Sequence, residues 1–372
     1  MDNKKIVIVG GVGGGASVAA RVRRLDEFAD ITMFEKGPNV SFSNCSLPYH
    51  LSGVIPNADD IVLKTPEQFK NQYNIKAVVN SEVISADPKD KTVRVKNTET
   101  GEITKHTYDE LVLSPGTKPI MPTTIKGIEK ENVFSVRNVV DIKEIQKYLT
   151  DKKVADVAVI GGGFIGLEVC ENLVEAGKNV SIIEASSQVL QTLDDDFAQF
   201  VHKNLYDHGV NLILDDGLSE ISDTEVTLAS GKKIKAQAVI MAIGVQPETT
   251  LATKIGCKLG STGGIAVDQH FETSIPHVYA VGDAIEVTNR LTRKKTRLAL
   301  AFPAQIQARD VADHIYGRKV NNRGVIGTSV IHLFDLNVSS TGLTEKVCRS
   351  EGIDYRCAIV IPQNRVSIMP NT

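Results

Sequence analysis

The 372-residue chain has only five cysteines, at positions 45, 170, 257, 348 and 357, and no CxxC among them. Their odd number and wide spacing argue against a disulfide scaffold and against a zinc site, and they fit a reducing cytoplasm. No bound metal is expected. No apolar stretch reaches the ~18–20 residues that a membrane span needs. No long basic run is present, and 42 basic against 45 acidic residues leave a net charge of −3, so nucleic acid is a poor partner. The opening MDNKK runs straight into an apolar segment, which argues against a cleaved signal peptide. With 42% apolar and 23% charged residues the balance is that of a globular protein. The length exceeds one ordinary domain, so two or three are expected.

The 29 glycines are informative because several cluster in two places. The first cluster follows KKIVIV (4–9), a short apolar β-branched run of the kind buried on both faces of a parallel sheet. GGVGGGA (10–16) comes next, then a helical segment ASVAARVRRL (16–25), then a strand ITMF (31–34) ending at Glu35. The same order returns with VAVI (157–160), GGGFIG (161–166), LEVCENLVEAG (167–177) and NVSII (179–183), ending at Glu184. Two strand–glycine turn–helix–strand–acid units predict two dinucleotide sites. Between them, residues 78–114 read as a small antiparallel meander returning to a core strand, and 218–243 repeat that pattern. A further region opens near Gly324 with the strand-like GTSVIHLFDLNVSS. Its 50 residues are few for an independent core, so the chain is expected to be cut inside its last domain.

The second turn gives GxGxxG as Gly161, Gly163 and Gly166. The first glycine permits the tight turn, the second lets a pyrophosphate approach, and the third lets helix and strand pack closely. The helix N-terminus then offers free N–H groups and positive potential to phosphate. Glu184, 23 residues after Gly161, would accept bonds from ribose hydroxyls and repel a 2′-phosphate. No arginine follows in ASSQ (185–188), which favours NADH over NADPH. The first turn can be read from Gly10, with Val12 in the second place, or from Gly11, as GxGxxA ending at Ala16. TSIPHVYAVGDA (273–284) adds a strand running into Gly282-Asp283, whose aspartate can bond a sugar-like hydroxyl chain.

Cys45 lies in SFSNCSLPYHLSG (41–53), between Asn44 and Ser46. A helix opening over 45–51 would lower its thiol pKa through the dipole. The polar neighbours mark it as a candidate nucleophile, whereas Cys170 falls on a helix face as core.

These motifs together resemble the flavoprotein disulfide reductases with two dinucleotide folds, and most of all their single-cysteine branch. That branch holds coenzyme A-disulfide reductases, NADH-dependent persulfide reductases, NADH oxidases and NADH peroxidases. The likeness rests on IVIVGGVGGGAS, SFSNCSLPYHLSG, LVLSPGTKP (111–119), VIGGGFIGLE, VIMAIGVQPE (239–248) and YAVGDAIEV (279–287). It implies an α/β fold of two Rossmann-like domains, with the NAD domain inserted in the FAD domain. The FAD domain would take 1–119 and 247–322, the NAD domain 120–246, and 323–372 would start an α+β dimerisation domain.

The resemblance also implies residue roles. FAD would lie on Gly10, Gly11, Val12, Gly14 and Gly15, with Glu35 and Lys36 at its adenosine end. Ser114, Pro115, Gly116 and Gly244 would pack near it, and Gly282 and Asp283 would hold the ribityl chain. NADH would use Gly161, Gly163, Phe164, Ile165, Gly166 and Glu184. Cys45 would be the redox nucleophile, attacking a disulfide or persulfide. Ser17, Arg21, Arg24, Ser41 and Asn44 would contact the substrate, a small disulfide or persulfide such as that of coenzyme A. Arg21 and Arg24, three apart, would both meet its phosphates. His50 stands where two-cysteine relatives carry their second thiol, so no intramolecular redox disulfide forms. Departures from the family pattern are Ser46, His50, Gln305, Ile306, and Ile368 with Met369 in place of a tyrosine pair. The alternatives are an NADH oxidase or peroxidase and a flavin-binding fragment without turnover. A complete chain would be a homodimer.

Overall fold

The fold is that of a computed structural model, which describes residues 3–362 and Ile368. The first unit runs β1 (Lys5–Val9), α1 (Gly13–Leu25), β2 (Asp30–Phe34). α2 (Pro66–Tyr73) follows, opened by a Thr65–Gln68 capping box with Pro66 in its first turn. It leads to β3 (Lys76–Val78). The meander β4 (Ser81–Asp87), β5 (Thr92–Asn97), β6 (Ile103–Thr107) is antiparallel, and β7 (Glu110–Leu113) returns to the core. β8 (Thr117–Pro119) leads out of this unit.

The second unit contains β9 (Val133–Ser135), α3 (Val139–Asp151), β10 (Asp156–Ile160), α4 (Phe164–Glu175) and β11 (Asn179–Ile183). α5 (Asp195–Asp207) and β12 (Asn211–Ile213) follow. A second meander, β13 (Leu218–Ile221), β14 (Glu225–Leu228) and β15 (Lys233–Lys235), precedes β16 (Ala238–Met241). β17 (Val245–Pro247) pairs antiparallel with β8, so the chain leaves and re-enters the first unit side by side. After α6 (Thr250–Lys254), β18 (Val278–Ala280) rejoins the first sheet. The two-residue strands β19 (Val287–Thr288) and β20 (Lys295–Thr296) form a hairpin before α7 (Ala301–Ile315). The hairpin β21 (Thr328–Leu333), β22 (Leu336–Thr341) and α8 (Glu345–Glu351) close the described chain.

Both large sheets are wholly parallel, ordered β18-β7-β1-β2-β3 and β12-β11-β10-β16-β9. Their central strands are buried apolar runs, as a sheet covered by helices on both faces requires. Helix α1 buries Gly14, Gly15, Val18, Ala19 and Val22, a stripe at helical spacing. The strand ends at Gly10, Glu35, Ser114, Gly161 and Glu184 face one crevice at the carboxyl edges of the sheets, where α/β folds bind ligands.

The cysteine loop does not pack with the sheet that precedes it. Leu47, Leu51, Ala58 and Ile61 are buried in the second core, with Ile142, Leu167 and Leu173. Ile331 and Leu333 of β21 belong to the same cluster. Among the described residues no helix is long and apolar enough to cross a membrane. Ile368 is exposed, and Met369 lies outside the described residues.

Candidate active site

The crevice has a volume of about 2520 Å³. A single small ligand needs roughly 300–1,000 Å³, so this space suits ligands of dinucleotide size.

The two glycine turns are superimposable in their chemistry. Gly10 and Gly161 have φ of +97° and +105°, and a Cβ on either would stand 2.1 Å from Ser114 O or 2.5 Å from Ala242 O. Gly15 and Gly166 face back onto their own turns. A Cβ there would lie 1.9 Å from Gly10 O or 2.0 Å from Gly161 O, and neither residue lines the crevice. The first turn therefore starts at Gly10, not Gly11, and Val12 fills the second place. Val12 caps α1 at φ −103°, outside the left-handed region that would call for glycine. Neither α1 nor α4 has a side-chain cap or an acid in its first turn, and a Cβ on Gly13 or Gly163 would meet nothing within 4 Å. Free N–H groups thus face open space at both helix starts, a cradle that fits pyrophosphate.

The terminal acids match as closely. Glu35 accepts from the N–H groups of Gly11 and Gly37, each at 2.9 Å. Glu184 accepts from those of Gly162 at 2.8 Å and Ser186 at 2.9 Å. Asp283 sits in a single 3-10 turn, Gly282–Ala284, after β18, and Gly282 N–H donates to Gln307 at 2.8 Å. Burial pushes the Asp283 carboxyl up, and Arg137 opposes this. Arg137 Nη2 would lie 3.1 Å from a Cβ on Gly116, so its guanidinium packs onto the 114–116 turn. Lys36, Ser114, Pro115, Gly116, Phe164, Ile165 and Gly244 also line the crevice.

Cys45 opens into the same crevice, with Asn44, Ser41 and Ser17. The expected helix over 45–51 is absent. Two separate 3-10 turns, Asn44–Ser46 and Pro48–His50, stand in its place, because Pro48 lacks the N–H a continuing helix would use. No dipole therefore lowers the thiol. Its pKa is raised instead, first by burial and then by the Glu168 carboxylate. Cys170, Cys257 and Cys348 are buried.

A smaller pocket of about 330 Å³ adjoins the crevice. Ser17, Ala20 and Arg24 of α1 line it with Ser41, Lys64 and Arg309. Arg21 does not reach it, contrary to expectation. It forms a two-pronged pair with Asp313 of α7, at 2.7 and 3.0 Å to the two carboxylate oxygens. Residues 17, 20 and 24 form one helical stripe, and position 21 turns toward α7. Sequence reading missed Lys64, Arg137, Glu168 and Arg309. Arg137 lies between β9 and the Asn138–Asp141 capping box, and no local pattern marks it. Glu168 is the last letter of the GGGFIGLE motif, which was its only signal.

The pyridine nucleotide-disulphide oxidoreductase family model matches residues 4–308. The chain belongs to this family. The family's FAD and NAD(P)H fit the two glycine cradles. The coenzyme A disulfide reductase of Staphylococcus haemolyticus is 33% identical over 354 residues, 95% of this chain and 79% of that protein. The NADH oxidase of Methanocaldococcus jannaschii is 34% identical over 91% of this chain and 76% of its own length. The crystal structure of reduced Bacillus anthracis CoADR-RHD superposes with a TM-score of 0.93 at 44% identity. That likeness covers 96% of this chain but 64% of the Bacillus chain, so this chain spans less than two thirds of it.

Proposed function

We propose that this oxidoreductase uses NADH and FAD to reduce coenzyme A disulfide, or a related persulfide, at Cys45. The observation that carries the reading is the placement of a single cleft thiol beside a basic pocket. Arg24, Lys64 and Arg309 surround that pocket, and Ser17 and Ser41 line both it and the crevice holding Cys45. Three cations suit the phosphates of a coenzyme A moiety whose sulfur end reaches Cys45.

Bound flavin would supply the two-electron chemistry between the nicotinamide and sulfur. The chain's own residues do the rest. The Gly10–Gly14 turn and the α1 N-terminus would hold the FAD pyrophosphate, and Asp283 its ribityl chain. Gly161–Gly163 and the α4 N-terminus would hold NADH. Glu184 would accept the adenosine ribose hydroxyls, and its charge disfavours the 2′-phosphate of NADPH. Cys45, as thiolate, attacks the disulfide and retains one half as a mixed disulfide. The chain would act as a homodimer, and its five unpaired cysteines fit a reducing, cytoplasmic setting.

Intact mass of the purified, non-reduced protein, with the adduct mapped to the Cys45 peptide, tests this. A coenzyme A adduct released by dithiothreitol is expected. Added oxygen on a coenzyme-free Cys45 would turn the reading to an oxidase or peroxidase.

A further inference from the structure

The third arginine of α1 follows neither of its neighbours. Arg21 pairs with Asp313 and Arg24 lines the basic pocket, whereas Arg23 lines neither cavity and folds back over the end of its own helix. A guanidinium has five N–H donors, and here five backbone carbonyls take them. Nε donates to Tyr73 O at 2.8 Å. Nη1 donates to Asp26 O at 3.0 Å and to Glu27 O at 2.5 Å. Nη2 donates to Ala29 O at 2.7 Å and to Asn74 O at 2.8 Å. Residues 26, 27 and 29 belong to the connection from α1 to β2, and Tyr73 and Asn74 close α2.

The ends of two helices thus share one guanidinium. Carbonyls at a helix C-terminus lack partners within the helix and carry partial negative charge. Asn74 caps α2 in the left-handed conformation, at φ +48°. Among the described residues no other hydrogen bond joins α1 to α2 or its cap. The last turn of α2 in turn holds Lys64. Its Nζ donates to Gln72 Oε1 at 2.8 Å and stands 5.9 Å from the centre of the Tyr73 ring. Lys64 and Tyr73 both line the basic pocket with Arg24. Arg24 is the next residue on α1, so one clamp relates the two sides of that pocket.

We propose that Arg23 is a positioning residue for substrate binding, which fixes Lys64 relative to Arg24 so that both cations meet one group of phosphates. The proposal rests on the function given above for the ligand of the pocket. Arg23 itself touches neither substrate nor cofactor. Arginine is required because lysine carries its three donors on a single nitrogen, which cannot serve five carbonyls spread over two helix ends. Cations held in place before the substrate arrives lose less freedom when it binds, which strengthens binding without adding a contact.

Two disulfides with the same sulfur end test the assignment. Coenzyme A disulfide carries the phosphates, and pantethine is the same arm without them. The FAD-loaded full chain, driven by NADH, should show the lower KM for coenzyme A disulfide. Arg23→Lys should raise that KM about tenfold at unchanged kcat, and leave both constants for pantethine as they were. Added to Lys64→Ala, it should raise KM no further than Lys64→Ala alone, because the cation it positions is already gone. Gln72→Ala, which frees Lys64 from the same turn, should give the same split and carries the test if Arg23→Lys does not fold. Equal losses with both disulfides, or additive effects of the Arg23 and Lys64 substitutions, would make Arg23 a purely structural residue and overturn the proposal. A wild type with no preference for coenzyme A disulfide over pantethine would overturn the phosphate reading of the pocket, and the proposal with it. A preference that Arg23→Lys and Gln72→Ala leave intact would overturn the role of Arg23 alone.

Discussion

A Cβ on Gly166 would stand 2.0 Å from the carbonyl oxygen of Gly161. The third glycine of the turn is therefore fixed by packing of α4 on β10, and the second, Gly163, faces open space. Gly166→Ala should cost about 1–3 kcal/mol through forced displacement of the helix. Gly163→Ala should leave the melting temperature unchanged and weaken NADH binding. Thermal unfolding and nucleotide titration of both variants separate the two roles.

Arg21 and Arg24 should separate in the same way. Arg24→Ala should raise the KM for coenzyme A disulfide roughly tenfold or more, the order of one lost charge-assisted bond. Arg21→Ala should leave KM alone and lower stability by up to about 1 kcal/mol, since its pair with Asp313 is only partly buried. Steady-state kinetics beside denaturant melts distinguish them.

On the proposed function, Glu184 is the residue that would set nucleotide choice. Glu184→Ala combined with Ala185→Arg should raise kcat/KM for NADPH and lower it for NADH, by removing an acceptor and adding a phosphate partner. Unchanged preference would show that discrimination lies elsewhere in the crevice.

The stability of the fold should depend on Glu168 with a definite sign. Its folded pKa, about 7, lies above the ordinary carboxyl value of 4.5. Between these values the folded state binds more protons than the unfolded one, so stability falls as pH rises through that window. Glu168→Gln should flatten this dependence and melt higher than wild type at pH 8. Melting curves at pH 5 and pH 8 check it.

Cys45→Ser should abolish disulfide reduction and spare much of any direct reaction of reduced flavin with oxygen. Anaerobic and aerobic NADH consumption distinguish the two. Retained aerobic turnover with no disulfide activity in the wild type would favour the oxidase reading.

Much of this is legible in the sequence. In each unit the strand, turn, helix and acid are contiguous, so local sequence contains every part of the cradle. The predicted strand NVSII coincides with β11, and both meanders appear where alternation placed them. The expected helix over 45–51 gives way to two 3-10 turns, because Pro48 breaks a pattern that otherwise reads as helical. Arg21 was misjudged because its partner, Asp313, lies 292 residues away.

The sequence by itself therefore determined two nucleotide-binding units and a lone thiol with no sequence-adjacent partner. Only the tertiary structure decided what surrounds that thiol. Burial of Leu47 and Leu51 in the second core carries Cys45 away from its own sheet and onto α4. The loop comes onto α4 through that packing, Arg24 meets Arg309 through the docking of α1 against α7, and Lys64, just before α2, lines the same pocket. Such meetings depend on which apolar faces are buried together, and no spacing along the chain encodes them.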